Sequence, residues 1–238
     1  MKRIGWLWAA ITVALLGYGY YLALYGAPTE ATMGDIQRIF YYHVPSAMVG
    51  FTCFLVSFLA SIAFLAWRRS RPVMAQKADA IALATAEVGV VFCTVVLITG
   101  PLWAKPVWGI WWTWDERLTS TLVLWLIYTS YLLLRRFADG SQMQTLAAVL
   151  AIFGFLDVPI VYMSNRWWRT QHPAPVIGGG KNSGLDASMW PALLWNMAAW
   201  MAWGILIVGY RYAVERRRQK LEQSIALNEL DPTLQEGA

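Results

Sequence analysis

The sequence predicts an all-α fold, a polytopic membrane protein with six transmembrane helices and a Trp-rich outer loop or interfacial helix. Three observations lead there. Hydrophobic residues fill 58% and charged residues only 14% of the 238 positions. The mean hydropathy is +0.44, and the apolar residues gather in runs of the roughly 17 to 25 residues that a bilayer core of about 30 Å demands. A soluble domain of this size carries far more surface charge. The net charge of +5 comes from basic residues clustered between the apolar runs without any nucleic-acid-binding motif. They read as determinants of membrane orientation, with the lipid bilayer as partner and no nucleic acid.

The runs place spans at 4–25, 47–67, 81–99, 118–134, 145–163 and 191–210. The first is longer than a signal-peptide core, and residues 24–29 lack a small-x-small cleavage pattern, so it is expected to stay as an anchor. The second closes on Arg68 and Arg69, the third ends before the Trp-rich stretch, and the fourth closes on Arg135 and Arg136. The fifth contains Asp157 and Pro159, and the sixth closes on Arg211. Residues 1–210 thus form one membrane domain, and 211–238, where the apolar periodicity fades after a basic turn, a short cytoplasmic extension frayed at its end.

Basic residues in short loops stay cytoplasmic. Lys2, Arg3, Arg68, Arg69, Arg71, Lys77, Arg135, Arg136, Arg211, Arg216, Arg217, Arg218 and Lys220, thirteen of the nineteen, fall on one side of the six spans. Arg38, Lys105, Arg117, Arg166, Arg169 and Lys181 fall on the other. Both termini are therefore expected in the cytoplasm. His43 and His172, the only histidines, lie by this count in the first and last outer loops, with an even number of crossings between them. They must share a face of the membrane, and the Trp-rich connection between the third and fourth spans opens on that face too.

Trp108-Gly109-Ile110-Trp111-Trp112-Thr113-Trp114-Asp115 gathers a flat aromatic platform in one short stretch, continued by Glu116-Arg117-Leu118-Thr119-Ser120. Trp6, Trp8, Trp67, Trp167, Trp168 and Trp190 suit an interfacial belt, because indole rings favour the headgroup zone. Trp103, Trp108, Trp111, Trp112 and Trp114 are denser than a belt needs, and ligand contact is expected of some of them. If 108–119 is helical, Trp108, Trp111, Trp112 and Asp115 share one stripe at helical spacing. Neutral imidazole is a good iron ligand and a common axial ligand of heme, so two on one face can fill both axial positions.

The stretch WGIWWTWDERLTS resembles the signature of the WWD family of heme-handling membrane proteins of cytochrome c maturation, and within it the small six-helix CcmC branch. The resemblance implies heme b, held non-covalently, with iron ligated by His43 in Tyr-Tyr-His-Val-Pro and His172 in Gln-His-Pro. It implies a site at the periplasmic face of a bacterial inner membrane, and presentation of heme to the periplasmic heme chaperone CcmE. The implied company is the ATP-driven transporter subunits CcmA and CcmB and the small membrane subunit CcmD. The larger members that attach heme to apocytochrome carry more spans than this length allows, so no enzymatic role is expected. A bis-histidine electron-transfer cytochrome and a heme permease subunit of an ABC transporter are the alternatives. Both histidines flank loops in this reading, which favours heme that enters or leaves over heme that stays to pass electrons.

Heme propionates are carboxylates, and the forked donors of Arg117, inside the motif, suit them best; Arg166, Arg169, Lys105 and Arg38 are weaker candidates. Asp115 has two compatible roles, orienting a ligand and capping the fourth span, where a negative charge is favourable by roughly 0.3–1 kcal/mol. Glu87 and Asp157 lie inside spans, where ionisable groups face protein rather than lipid; helix packing is the expected role of both, with a partner subunit as a source of the missing contact. Cys53 and Cys93 form no CxxC or CxxCH and read as small packing residues. The Gly178-Gly179-Gly180-Lys181 run lacks the rest of a phosphate loop and reads as a flexible segment, so no nucleotide-binding motif is present.

Overall fold

A computed structural model describes residues 2–137, 142–173, 175–177 and 184–230. The Gly178 to Lys181 run and the tail from residue 231 lie outside them. The chain is helical throughout its long elements. Helix α1 is Lys2–Tyr21 and passes through a π turn, Leu22–Gly26. A 3-10 turn, Asp35–Ile39, leads into α2, Phe40–Trp67. Then follow α3, Pro72–Trp108, α4, Glu116–Phe137, α5, Met143–Phe155, and α6, Asp157–Trp167. A 3-10 turn, Ala187–Met189, opens α7, Trp190–Leu230.

Six stretches are long and apolar enough to cross a membrane, matching the six expected spans. Several run further than expected: the second starts at Asp35, the third covers Pro72–Trp108, and the sixth reaches Asn228. The fifth is α5 and α6 in series. It breaks at Leu156 because Pro159 lacks an N–H and its ring clashes with the carbonyl four residues back, that of Phe155. The Leu156 N–H bonds instead to the Phe153 carbonyl, 3.1 Å away, in a tightened turn. The boundary expected at Tyr210/Arg211 falls inside α7, which continues unbroken.

Lipid tails are as apolar as leucine, so helices associate in a membrane by close packing and interhelical hydrogen bonds rather than by a hydrophobic drive. Helix α3 meets that need with Ala75, Ala78, Ala80, Ala82, Ala84 and Ala86, all buried. Gly89 lies under the Phe54 ring, where an added Cβ would stand 2.5 Å from the ring edge. Phe54 in turn stacks on Tyr128 at 4.0 Å, joining α2, α3 and α4. Polar ties cross between helices: Ser57 Oγ donates to the Ala82 carbonyl at 3.0 Å, Trp125 Nε1 to Thr94 Oγ1 at 2.8 Å, and Asn196 Nδ2 to the Gly19 carbonyl at 3.0 Å.

Two carboxylates inside the spans, Glu87 and Asp79, are paired within the chain. Glu87 receives Arg211 Nε and Nη2 at 2.6 and 2.7 Å, so α7 supplies the contact that the sequence left to a partner subunit. Arg211 is thus more than an orientation signal. Asp79, which the sequence reading placed outside the spans, is buried in α3 and receives Arg135 Nη1 and Nη2 at 2.5 and 2.9 Å. Gln144 and Gln219 donate to it as well, which binds α3, α4, α5 and α7 at one end of the bundle. Asp157, at the start of α6, is buried with Oδ2 unpartnered. Cys53 and Cys93 are buried and free, as packing residues would be.

Candidate functional site

The opposite end of the bundle holds a cavity of about 850 Å³, large among small-molecule sites, which usually span roughly 300–1,000 Å³. The start of α2, the end of α3, the start of α4 and residues of α6 form its walls, and residues 172–173, 175–177 and several of 184–189 border it. Val44, Met48, Phe51, Val96 and Leu97 make it apolar. His43, His172, Trp103, Trp108, Trp112 and Arg117 all face it.

His43 does not lie in a loop. It stands one turn inside α2, with Pro45 two residues further along inside the same helix. Thr99 Oγ1 is 2.8 Å from His43 Nδ1 and donates its own hydrogen to the Val95 carbonyl at 2.7 Å. The hydroxyl is therefore left to accept, which assigns the proton to Nδ1 and the free lone pair to Nε2. His172 arrives at the same state by another route. Its Nδ1 is 2.9 Å from the Pro173 carbonyl, an acceptor only, so Nδ1 again carries the hydrogen. Asn165 Nδ2 donates to that carbonyl at 3.1 Å, and the His172 backbone N–H to Thr170 Oγ1 at 3.1 Å, fixing the segment to α6. The two imidazole centroids are 6.4 Å apart, with planes inclined at 33°. Burial, and next the Arg117 guanidinium, push the His172 imidazole down to about 4 against the opposite pull of the Pro173 carbonyl. His172 thus presents the neutral form that binds metals.

The Trp-rich segment departs from the expected helix. Helix α3 stops at Trp108 because Gly109 takes φ of +80°, a left-handed conformation that glycine adopts without steric cost, and Lys105 Nζ bonds the Gly109 carbonyl at 2.8 Å. Residues 110–115 belong to no helix or strand, and α4 starts at Glu116. The stripe through Trp108, Trp111, Trp112 and Asp115 therefore does not form. Trp103 and Trp108 pack edge to face at 5.1 Å in the cavity wall, and Trp112 joins them there. Trp111 and Trp114 turn outward, 56% and 76% exposed, and neither they nor Asp115 line the cavity. Asp115 caps α4, its Oδ1 accepting the Leu118 N–H at 2.9 Å.

Two donors at the cavity wall are buried without a partner: Arg117 Nη1 and Trp112 Nε1. A buried unmet donor costs roughly 1–3 kcal/mol, so the pair is suited to an anionic oxygen brought in by a ligand. The weaker cationic candidates stand otherwise. Arg38 is occupied by Asp35 at 2.9 Å and by the Ala23 carbonyl, Lys105 caps α3, Arg166 lies over the Tyr162 ring, and Arg169 is exposed. Thr99, Asn165 and Tyr162, whose hydroxyl donates to the Ile177 carbonyl at 2.8 Å, went unrecognised in the sequence. No local pattern marks them, since the Thr99 contact joins residues 56 positions apart.

The profile of the CcmC family, heme exporter protein C, matches residues 1–226. Heme exporter protein C of Bradyrhizobium diazoefficiens is 36% identical over 241 residues, covering 100% of this chain and 88% of its own length. The proteins of the same name from Escherichia coli K12 and Haemophilus influenzae are 31% and 30% identical, covering 90% and 88% of this chain and 77% and 83% of their own lengths. With six apolar helices of spanning length and a family match over nearly its whole length, the chain is a multi-pass membrane protein of the CcmC, heme exporter protein C, family.

Proposed function

We propose that this protein binds heme b non-covalently between His43 and His172 and presents it for cytochrome c maturation. Heme is its cargo, and no chemical step is assigned to the chain. The observation that carries the reading is the histidine pair. First-row metal–imidazole bonds of about 2.0–2.1 Å, with the ring radius added on each side, place two trans imidazole centroids roughly 6.3 Å apart. The observed spacing is 6.4 Å, and both Nδ1 atoms are engaged so that both Nε2 atoms are free. The apolar walls suit a porphyrin face, Trp103, Trp108 and Trp112 its edge, and the unpartnered donors of Arg117 and Trp112 its propionates.

In this reading the chain sits in a bacterial inner membrane with both termini cytoplasmic and the cavity periplasmic. Heme passes to the chaperone CcmE in a complex with CcmA, CcmB and CcmD. Trp111 and Trp114, exposed beside the cavity, offer the surface over which the handover occurs. One observation favours the electron-transfer reading: His43 sits in a helix, as ligands of membrane cytochromes commonly do. His172, however, lies outside the helices, in the segment between α6 and α7.

The test is the absorbance spectrum of the purified protein before and after reduction, with His43→Ala and His172→Ala alongside. Six-coordinate heme in the parent, five-coordinate or weakened heme in each variant, and little in the double variant are expected. Unchanged six-coordinate spectra in both single variants would remove the proposal. Covalent capture of heme by co-expressed CcmE, measured in the same membranes, separates delivery from retention: Trp111 and Trp114 variants should lose capture more than binding.

A further inference from the structure

At the end of the bundle opposite the histidines, a second cavity of about 560 Å³ lies among the end of α2, the start of α3 and the start of α5. Arg68, Arg69, Gln76, Gln142, Gln144 and Thr145 line it, and among the described residues no carboxylate does. Among the described residues neither arginine belongs to an ion pair, and the nearby Asp79 is taken by Arg135. Thr145 Oγ1 accepts Arg68 Nη1 at 2.7 Å and holds that guanidinium against the wall, leaving its other N–H groups for a ligand.

The surroundings add positive potential. Helices α3 and α5 both begin at this cavity, at Pro72 and Met143, without a side-chain cap or an acidic residue in the first turn. Among the described residues no carboxylate offsets their positive dipole ends. Two guanidinium groups, amide side chains and two positive helix ends form a receptor for a compact anion rich in acceptors. Phosphate has that chemistry, with oxygens that match the arginine fork. The cavity also lies where membrane-spanning helices end, at headgroup level, within reach of lipid phosphates.

We propose that this cavity is an anion site for a phosphate group, supplied by an anionic phospholipid headgroup or by free phosphate. The two guanidiniums meet the phosphate oxygens, and the side-chain amides of Gln76 and Gln142 complete the cradle. The site is independent of the heme reading, since the two cavities occupy opposite ends of the bundle.

The full chain, purified in detergent at constant ionic strength, is titrated with phosphatidylglycerol in one arm and inorganic phosphate in another, with phosphatidylcholine as the zwitterionic control. The thermal unfolding midpoint is the readout. A rise with phosphatidylglycerol alone assigns the site to a lipid headgroup, and a rise with inorganic phosphate as well assigns it to the free anion. The double variant Arg68→Gln/Arg69→Gln should raise the half-saturating concentration at least about tenfold, since hydrogen bonds to charged groups are the strong ones. Its far-ultraviolet circular dichroism should match that of the parent and so report an intact fold. If the double variant does not fold, Arg69→Gln alone, at an exposed position, must weaken binding several-fold. No rise in either arm, or a rise that the arginine variants keep, overturns the proposal.

Discussion

Thr99→Val removes one hydroxyl and almost nothing else, so it isolates what orients His43. In the parent, Thr99 Oγ1 gives its hydrogen to the Val95 carbonyl at 2.7 Å and accepts the His43 Nδ1–H at 2.8 Å. Valine leaves that N–H facing a methyl group in a partly buried site. An unmet donor there costs about 1–3 kcal/mol, and the imidazole escapes the cost by rotating or by moving its proton to Nε2, which abolishes the lone pair meant for iron. At about 1.4 kcal/mol per decade, the loss converts to roughly 5- to 150-fold in heme affinity, in line with the roughly 10- to 100-fold usual for groups that orient a metal-binding histidine. Heme titration of the detergent-purified protein, followed at the Soret band, measures it. Thr99→Ser keeps the hydroxyl on the same helical carbonyl and should restore affinity to within a few-fold. A Thr99→Val protein that binds heme within twofold of the parent, with an unchanged six-coordinate spectrum, would refute the tautomer argument.

Arg117→Ala should weaken heme binding by about tenfold or more while leaving affinity for the heme dimethyl ester nearly unchanged, because esterified propionates have no charge for the guanidinium to meet; equal losses for both ligands would place Arg117 elsewhere than at a propionate. Asp79→Ala should destabilise the protein by about 3–5 kcal/mol, since it strands the buried Arg135, and Asp79→Ala/Arg135→Met should recover part of that loss; denaturation in mixed micelles measures both, and a loss under 1 kcal/mol would show the pair to be dispensable. Reporter fusions after Tyr25 and Gly109 should read as periplasmic and those after Arg71 and Arg136 as cytoplasmic, and a cytoplasmic signal after Gly109 would invert the proposed orientation.

The sequence by itself determined the class and the number of spans. A bilayer admits backbone only as helices or closed barrels, so apolar runs of spanning length leave little choice of structure, and the matching count of six follows from length alone. Parity did further work: an even number of crossings brings His43 and His172 to one end of the bundle whatever the packing, and there they stand 6.4 Å apart. The cap role of Asp115 was also legible, because a cap acts within one turn of its own helix.

Contacts between distant segments were decided only in three dimensions. Trp108, Trp111, Trp112 and Asp115 fit a helical spacing, yet Gly109 at positive φ ends α3 and sends Trp111 and Trp114 outward while Trp103, Trp108 and Trp112 stay at the cavity. His43, counted as a loop residue, belongs to α2, because the helix begins ahead of the apolar run that marks the span. Thr99 reads as one more residue of an apolar run until α2 packs beside α3 and brings His43 Nδ1 to its hydroxyl. Arg135 and Arg211 read as flanking charges that set orientation, and only the bundle shows them entering it to meet Asp79 and Glu87. Spacing along a chain fixes neighbours within an element. Which donor finds which acceptor between elements depends on helix rotation and depth, and those are set by the packing of Gly89 under Phe54 and of the small residues of α3, on which a linear pattern is silent.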